Sequence, residues 1–221
     1  MKSKVILFLA LLAFAGCKDD TEVDIRDTLR SFDCMKSEAY GNIVFMQANE
    51  STIHISGSRK MVKRLRYKVQ NGELLIDSKD GVGVVNASSD VRIVISVPDI
   101  SRVVLSGAGS FTAMGVQLNH DLYVRLDGVG KISLSDLQCE NFELRSSGVG
   151  NFSGLGLQCE NADVSVSGVG KAELNVECRN NLTVKADGVG SVYIWGSTQN
   201  LTVQEDGVGR VNIDNLVVLG L

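Results

Sequence analysis

The sequence of 221 residues contains one proline, Pro98, and two histidines, His54 and His120. The scarcity of proline, together with 23 glycines and many β-branched residues, is typical of an all-β protein. The two histidines lie in unrelated sequence contexts, so the sequence gives little support to histidine-based catalysis.

Aromatic residues are also scarce, at 5% of the chain. In the second half, Tyr123, Tyr193 and Trp195 are the obvious aromatic candidates for a binding surface, and they do not recur at one repeat position. Basic residues are fewer than acidic ones, with 22 Lys and Arg against 26 Asp and Glu. An acidic surface argues against nucleic acid or an anionic membrane as a partner.

The chain has no apolar run long enough for a membrane-spanning helix, because Val5 to Phe14 is too short. Lys2 and Lys4 precede this run and small residues follow it, which is typical of a secretory signal peptide over residues 1–16. Its end, Ala15-Gly16-Cys17, resembles a lipobox and predicts lipidation of Cys17. The alternative is an ordinary signal peptide with a chance cysteine.

Residues 17–27 are polar and predict a lipidated tether. Within it, Lys18-Asp19-Asp20 resembles a signal that places lipoproteins on the outer face of the outer membrane; the alternative is a solvated linker. We expect an outer-membrane lipoprotein, exposed at the cell surface or facing the periplasm. Residues 28–221 are predicted to form one domain, with a strand-rich part over 28–100 and repeats over 101–215.

A Gly-X-Gly step recurs along the second half at nearly constant intervals. The first glycines of its copies are Gly107, Gly128, Gly148, Gly168, Gly188 and Gly207. A fixed period of roughly 20 residues means that each copy is one structural unit packed on its neighbours. We expect these glycines to form structural turns.

Apolar residues also recur at fixed offsets from each first glycine. Four positions before it stand Val103, Val124, Leu144, Val164, Val184 and Val203. The alternating pattern indicates strands with one buried face. We predict a right-handed parallel β-helix of about 20-residue coils, capped by the strand-rich N-terminal part; the alternative is a meander of hairpins. In this interpretation the middle valine of each step points into the core, and its glycines turn the corner.

The N-terminal part shows several strand signals. Residues 42–46, 52–57 and 91–97 read as strands, and Asn71-Gly72 before residues 74–76 predicts a hairpin. Residues 80–83 repeat the Gly-X-Gly pattern out of phase and read as a loop.

Three cysteines lie near one repeat position. Cys139 and Cys159 are one full repeat apart, and Cys178 is displaced from their position by a single place. We favour a column of buried free thiols over a Cys139–Cys159 disulfide. Asparagines also form a column, consisting of Asn141, Asn161, Asn181 and Asn200 with Asp121 in the first copy. We expect their side-chain amides to bond the backbone turns of the coils above and below.

We expect no cofactor, no metal and no catalytic residue. The cysteines lack a zinc spacing, the glycine steps lack the further residues of a phosphate loop, and the calcium-binding nonapeptide order is absent. Asp187 and Asp206 would stack as a carboxylate pair, which keeps a glycan-active enzyme as an alternative.

The ordered segments of the chain resemble a known family. They are Asn42-Ile43-Val44-Phe45, Ile53-His54-Ile55-Ser56-Gly57, Gly72-Glu73-Leu74-Leu75-Ile76, Ile93-Val94-Ile95-Ser96-Val97-Pro98 and Leu105-Ser106-Gly107-Ala108-Gly109. The resemblance is to the auto-transporter adhesin family known as the head GIN domain, over about residues 28–215. It implies an exported Gram-negative protein with a mainly β-helical fold and no established catalytic residues.

We therefore expect an adhesin-like or interaction module of the cell envelope, anchored to the outer membrane through the lipid on Cys17. Its partner would be an unidentified protein or glycan, and self-association stays open. The alternatives are a glycan-binding or glycan-active β-helix protein, and a periplasmic structural or envelope-stress component.

Overall fold

The computed structural model describes residues 22–79 and 91–220. Within these ranges the chain forms sixteen strands and one short helix. Their bounds are β1 (Glu22–Thr28), β2 (Cys34–Ser37), β3 (Tyr40–Gln47), β4 (Thr52–Ser58), α1 (Arg59–Val62), β5 (Leu65–Gln70), β6 (Glu73–Ser78), β7 (Arg92–Val97), β8 (Arg102–Leu105), β9 (Ala108–Met114), β10 (Leu122–Leu126), β11 (Val129–Gln138), β12 (Asn141–Ser146), β13 (Val149–Val166), β14 (Val169–Ala186), β15 (Val189–Glu205) and β16 (Arg210–Val218).

The strands wind into a solenoid of about six turns, with coils about 20 residues apart. All sixteen strands belong to one continuous sheet that bends around each coil, and we call its two faces the rear sheet and the front sheet. The rear sheet holds the segments before each Gly-X-Gly step, and the front sheet holds the segments after it. The prediction of an all-β solenoid is confirmed, and the meander of hairpins is excluded, because the stacked neighbours run parallel.

The register follows the repeat in the sequence. In the front sheet, Val129 pairs with Val149, Val149 pairs with Val169, and Val169 pairs with Val189. In the rear sheet, Val124 pairs with Leu144, which leads to Val164 and Val184. A residue at one offset therefore lies about 4.8 Å above its counterpart in the preceding coil.

The N-terminal part caps the stack with antiparallel strands. In the front sheet, β3 pairs with β7, and β4 and β1 then add antiparallel strands. In the rear sheet, β2 pairs with β6, and β5 adds antiparallel to β6. The predicted hairpin at Asn71-Gly72 is confirmed, since both residues have positive φ, as a tight two-residue turn requires. The predicted loop at residues 80–83 lies outside the described residues.

The tether prediction is wrong for residues 22–27. They belong to β1, which pairs antiparallel with β4 along its whole length. Val23 and Ile25 alternate with polar residues and pack against the core. The alternation of Val23 and Ile25 with polar residues indicates a strand, although the segment as a whole has a polar composition.

The core lies between the two sheets and runs the length of the solenoid. Val124, Leu144, Val164 and Val184 occupy one column and are fully shielded from solvent. The last coil is different, because Val203 in the same column is 37% exposed. Leu201, Val211, Ile213 and Leu216 of that coil are only partly buried as well.

No helix in the described part of the chain has the length and apolar character needed to cross a membrane.

Candidate functional site

The Gly-X-Gly corner is the place where successive coils come closest. A Cβ on Gly148 would overlap the backbone carbonyl of Gly128, and a Cβ on Gly168 would overlap that of Gly148. The second glycine of each step is equally confined, because a Cβ on Gly150 would overlap the carbonyl of Gly130. Only glycine fits there, since the backbones of neighbouring coils are in direct contact.

Backbone hydrogen bonds lock this corner. The amides of Ser147 and Gly148 both donate to the carbonyl oxygen of Leu126, at 3.0 Å each. The amide of Val149 donates to the carbonyl oxygen of Gly128, also at 3.0 Å. Equivalent bonds recur along the stack, so the six predicted turn glycines form the contact points that keep the coils in register.

The interpretation that the middle valines point into the core is wrong. Val129, Val149, Val169, Val189 and Val208 are exposed, by 50% to 83% of their surface. The reason is strand periodicity: the buried columns lie an even number of positions from the first glycine, whereas the valine is one position away. That parity was present in the sequence and predicts the outward orientation. Val129, Val149, Val169 and Val189 lie in register on successive coils, and Val208 follows in the last coil. We call these five exposed valines the valine ladder.

The two aspartates considered as a catalytic pair, Asp187 and Asp206, occupy the position before the glycines. Both are exposed at the corner in successive coils. Neither makes a side-chain hydrogen bond or an ion pair to another group in the described part of the chain. Among the described residues there is also no group of three or more metal-binding side chains that could hold an ion.

Both histidines pair with carboxylates at the surface. His54 on β4 bonds Asp24 on β1, with 2.8 Å between Nε2 and Oδ2. His120 bonds the backbone oxygen of Asp121 through Nδ1 and the carboxylate of Asp99 through Nε2, at 2.9 and 2.7 Å. These contacts raise the pKa of His120, chiefly through the backbone oxygen of Asp121. Both pairs tie neighbouring segments together.

The second corner of each coil carries the asparagine column. The amide of Asn161 donates to the side-chain oxygen of Asn141 at 2.8 Å, and that of Asn181 donates to Asn161 at 2.9 Å. Asp121 accepts from Asn141 at the first copy, and Asn200 donates to Asn181 at the last. The asparagines therefore bond mainly to one another, side chain to side chain, in a ladder that runs along the stack.

The cysteine column lies beside this corner. Cys139, Cys159 and Cys178 are buried and free. Cys178 pairs in register with Cys159, because the register shifts by one residue between Gly154 and Leu157 and shifts back between Cys159 and Asn161. Thr198 continues the column in the next coil. The arrangement agrees with the buried thiol column and not with a Cys139–Cys159 disulfide.

Burial keeps the first two of these thiols protonated. It raises the pKa of Cys139 to about 12, with a smaller contribution from the charge of Asp121. The contact with the Cys178 thiol, followed by burial, raises the pKa of Cys159. Protonated thiols are poor nucleophiles and poor metal ligands.

The third thiol is a hydrogen-bond donor. Sγ of Cys178 donates toward the carbonyl oxygens of Glu160 and Asn181, at 3.4 and 3.2 Å. A groove of about 440 Å³ passes along this corner between Gln138 and Leu219. The thiols at its base are engaged in packing and hydrogen bonding.

The outer face of the front sheet carries two aromatic residues side by side. Tyr193 and Trp195 alternate with the buried Ile194 on β15, so both point outward. Nζ of Lys171 lies 4.5 Å from the centroid of the Tyr193 ring. Tyr123 lies on the rear sheet instead, with the guanidinium of Arg102 at 5.5 Å from its ring. Of the three aromatic candidates from the sequence, Tyr193 and Trp195 lie together on β15, and Tyr123 lies apart from them.

A family model described as "Putative auto-transporter adhesin, head GIN domain" matches residues 31–213. The chain belongs to this family. No curated protein matches the sequence of this head GIN domain protein.

Several solved structures resemble this head GIN domain protein in fold. A "putative adhesin" from Bacteroides fragilis is 19% identical with a TM-score of 0.70, covering 87% of this chain and 97% of its own. A "putative adhesin" from Parabacteroides distasonis is 14% identical with a TM-score of 0.52, covering 88% and 98%. A "putative lipid binding protein" from the same species is 14% identical with a TM-score of 0.55, covering 87% and 96%. At these identities the likeness concerns the fold alone.

Within this head GIN domain protein, the repeated residues and the variable residues have different roles. The glycines, the asparagines and the apolar columns hold the coils together. Apart from the valine ladder, the exposed side chains change from coil to coil, and they include the aromatic pair on β15. Sequence reasoning missed the pairing of Tyr193 with Trp195, although their i, i+2 spacing in a strand was a sufficient signal.

Proposed function

We propose that the protein is an adhesin-like binding module of the cell envelope without catalytic activity. The proposal rests on the exposed apolar and aromatic side chains, which lie outside the core and the corner contacts that hold the coils together. The valine ladder, Met114, Leu155 and Tyr193 are all exposed large apolar side chains. Contiguous exposed apolar surface marks interaction sites in folded proteins. Membership of the head GIN domain family supports the same conclusion.

Anchoring through a lipid on Cys17 is part of this proposal. The anchor would leave the solenoid, which begins with β1 at Glu22, close to the membrane surface. Replacing Cys17 with Ala should move the protein from the membrane fraction to the soluble fraction and remove the mass of the lipid.

Protease treatment of intact cells tests the orientation of the wild-type protein. Cleavage supports exposure at the cell surface, whereas protection supports the periplasmic face.

Attachment assays test the adhesive role. Cells that lack the protein should bind less than wild-type cells to a panel of immobilised host glycoproteins, and the full-length chain should restore binding. The Cys17→Ala protein should not restore it, because it would not be retained at the surface. Equal attachment with and without the protein would contradict the proposed function.

The enzymatic alternative is tested on the same glycans. The purified protein should release no new reducing ends from polysaccharide substrates. Release that disappears in Asp187→Ala or Asp206→Ala would instead establish a glycan-active enzyme, because these two aspartates are the stacked carboxylates of adjacent coils.

A further inference from the structure

The aromatic pair on β15 has the layout of a small binding platform. Tyr193 and Trp195 point outward from one strand, and residues two apart in a strand lie about 7 Å from one another. Tyr193 is 37% exposed, and Trp195 is partly exposed. Both lie on the outer face of the front sheet. Lys171 lies over the Tyr193 ring, and the indole of Trp195 is partly open to solvent.

Two asparagines flank Trp195 in the neighbouring coils. Asn175 on β14 and Asn215 on β16 are its register partners below and above. Among the residues that the structure describes, neither amide has a hydrogen-bond partner, in contrast to the bonded asparagines of the corner ladder. Each free amide offers two donor hydrogens and one acceptor oxygen. The indole is therefore bracketed by polar groups that are ready to bond a ligand.

The charges around the platform neutralise one another. Nζ of Lys171 lies 2.6 Å from Glu173, which is the register partner of Tyr193. On the other side, Asp214 accepts a hydrogen bond from Asn212 and has Arg210 on the same strand. Two positive and two negative side chains thus lie on β14 and β16, the strands that flank β15. This balance favours an uncharged ligand over an anionic or a cationic one.

The chemistry of the platform matches a sugar ring. One face of a hexopyranose consists of C–H groups and packs flat on an aromatic ring, while its hydroxyl groups point sideways and both donate and accept hydrogen bonds. A protein that buries the two rings as aromatic anchors is the other occupant, and the experiment below distinguishes it from a glycan.

We propose that the Tyr193–Trp195 platform binds neutral hexopyranose units of a glycan, with the rings stacking on the sugars and with Asn175 and Asn215 bonding their hydroxyl groups. This site rests on the proposed adhesive function and gives it a ligand class. Many copies anchored on one surface would add the contributions of individually weak sites.

The single tryptophan of the chain provides a direct readout. The mature protein is titrated with neutral pentasaccharides of glucose, mannose and N-acetylglucosamine while the fluorescence of Trp195 is followed. At least one pentasaccharide should produce a saturable change in emission, because its rings would displace water from the indole. Isothermal calorimetry measures the same affinity for variants that lack the fluorophore.

Four variants separate the site from general effects. Trp195→Ala should weaken binding by at least tenfold, and Trp195→Phe should retain more binding because a flat ring remains. Asn175→Ala should weaken binding several-fold while leaving the core unchanged, since its side chain has no partner in the described structure. Tyr123→Ala, which removes an aromatic ring from the rear sheet, should bind like the wild type. Urea unfolding confirms that each variant is folded.

Three outcomes overturn the proposal. They are the absence of binding to every pentasaccharide, binding that is unchanged in both Trp195→Ala and Asn175→Ala, and a platform that proves to bind a protein and no glycan. In each of these cases, cell attachment that still depends on the protein would leave the adhesive function standing. Attachment that does not depend on the protein would defeat the adhesive function separately.

Discussion

At the scale of single residues, the Gly-X-Gly step combines two opposite constraints on adjacent positions. The first glycine has no room for a side chain, because the carbonyl of the preceding coil occupies the place of its Cβ. The valine beside it lies in solvent. Neighbours in sequence should therefore respond very differently to substitution.

Gly148→Ala should destabilise the protein by about 1–3 kcal/mol or more, since an added methyl group would push against backbone atoms that cannot rotate away. Val149→Ala is the matched control and should change stability by less than about 0.5 kcal/mol, because its side chain is exposed. Urea unfolding of both variants measures the difference. A large loss in Val149→Ala would contradict the outward orientation of the valine ladder.

The buried thiol of Cys139 gives a pH-dependent prediction. Its pKa is about 12 in the folded protein against a reference of 9.0. Above pH 9 the unfolded chain loses this proton first, so the free energy of unfolding should fall as the pH rises from 9 toward 12. The loss is at most about 1.4 kcal/mol per pH unit from this group.

Comparison of the wild type with Cys139→Ala at each pH isolates this contribution from that of other groups. The variant should start less stable at pH 8, because a small cavity replaces the thiol, and its stability should fall less steeply above pH 9. Parallel curves for the two proteins would show that the thiol ionises equally in both states.

At the scale of elements, the asparagine ladder joins the coils at the corner opposite the glycines. Asn161 makes two ladder bonds, one to Asn141 and one from Asn181, whereas Asn200 at the end makes one to Asn181. Each bond contributes about 0.5–1.5 kcal/mol. The cost of losing an asparagine should therefore depend on its position in the ladder.

Asn161→Ala should destabilise the protein by about 1–3 kcal/mol, and Asn200→Ala by about half as much, because it breaks one bond in place of two. Thermal or urea unfolding of the two variants gives the comparison, with Asn175→Ala as a control at a position without a ladder bond. Equal losses at Asn161 and Asn175 would mean that the ladder bonds add no stability.

Much of the fold could be predicted at this scale, because the same pattern of glycines and apolar columns recurs in six copies. The repeated columns predict the parallel stack, and Asn71-Gly72 predicts the hairpin of β5 and β6. The antiparallel cap was less accessible, since β1 pairs with a strand that is not its neighbour in the chain and its alternation lies within a charged segment. The asparagines that flank Trp195 could not be predicted, because their placement depends on the register of three coils, which includes an irregularity between Tyr193 and Trp195.

At the scale of the whole molecule, the two ends of the solenoid differ. Antiparallel strands and α1 cover the N-terminal end, where Val62 is buried and Tyr40 donates to the backbone oxygen of Met61 at 2.9 Å. The last coil has a neighbour on one side in the described structure, so its apolar residues are half-covered. Stability in a stack comes from neighbouring coils, and the terminal coil should therefore open first.

Val184 and Val203 occupy the same column one coil apart, with 0% and 37% exposure. Val184→Ala should cost about 2 kcal/mol or more, and Val203→Ala less than about 1 kcal/mol. Hydrogen exchange should show the same gradient, with faster exchange in residues 210–218 than in 161–166. Equal protection in the two segments would mean that the last coil is covered in solution by another molecule or by another copy of this chain.

The contact of glycine backbones at the corner also limits how the length of the protein can change. Removal of residues 149–168 would join Gly148 to Val169 and restore an unbroken Ser-Gly-Val-Gly step with every column aligned. Removal of one residue fewer would have to be absorbed away from the corner, where the existing register shifts lie. The length of the protein therefore changes most simply by whole coils, and each coil changes its reach by about 4.8 Å. A lineage of such proteins would vary in discrete lengths while keeping one cross-section.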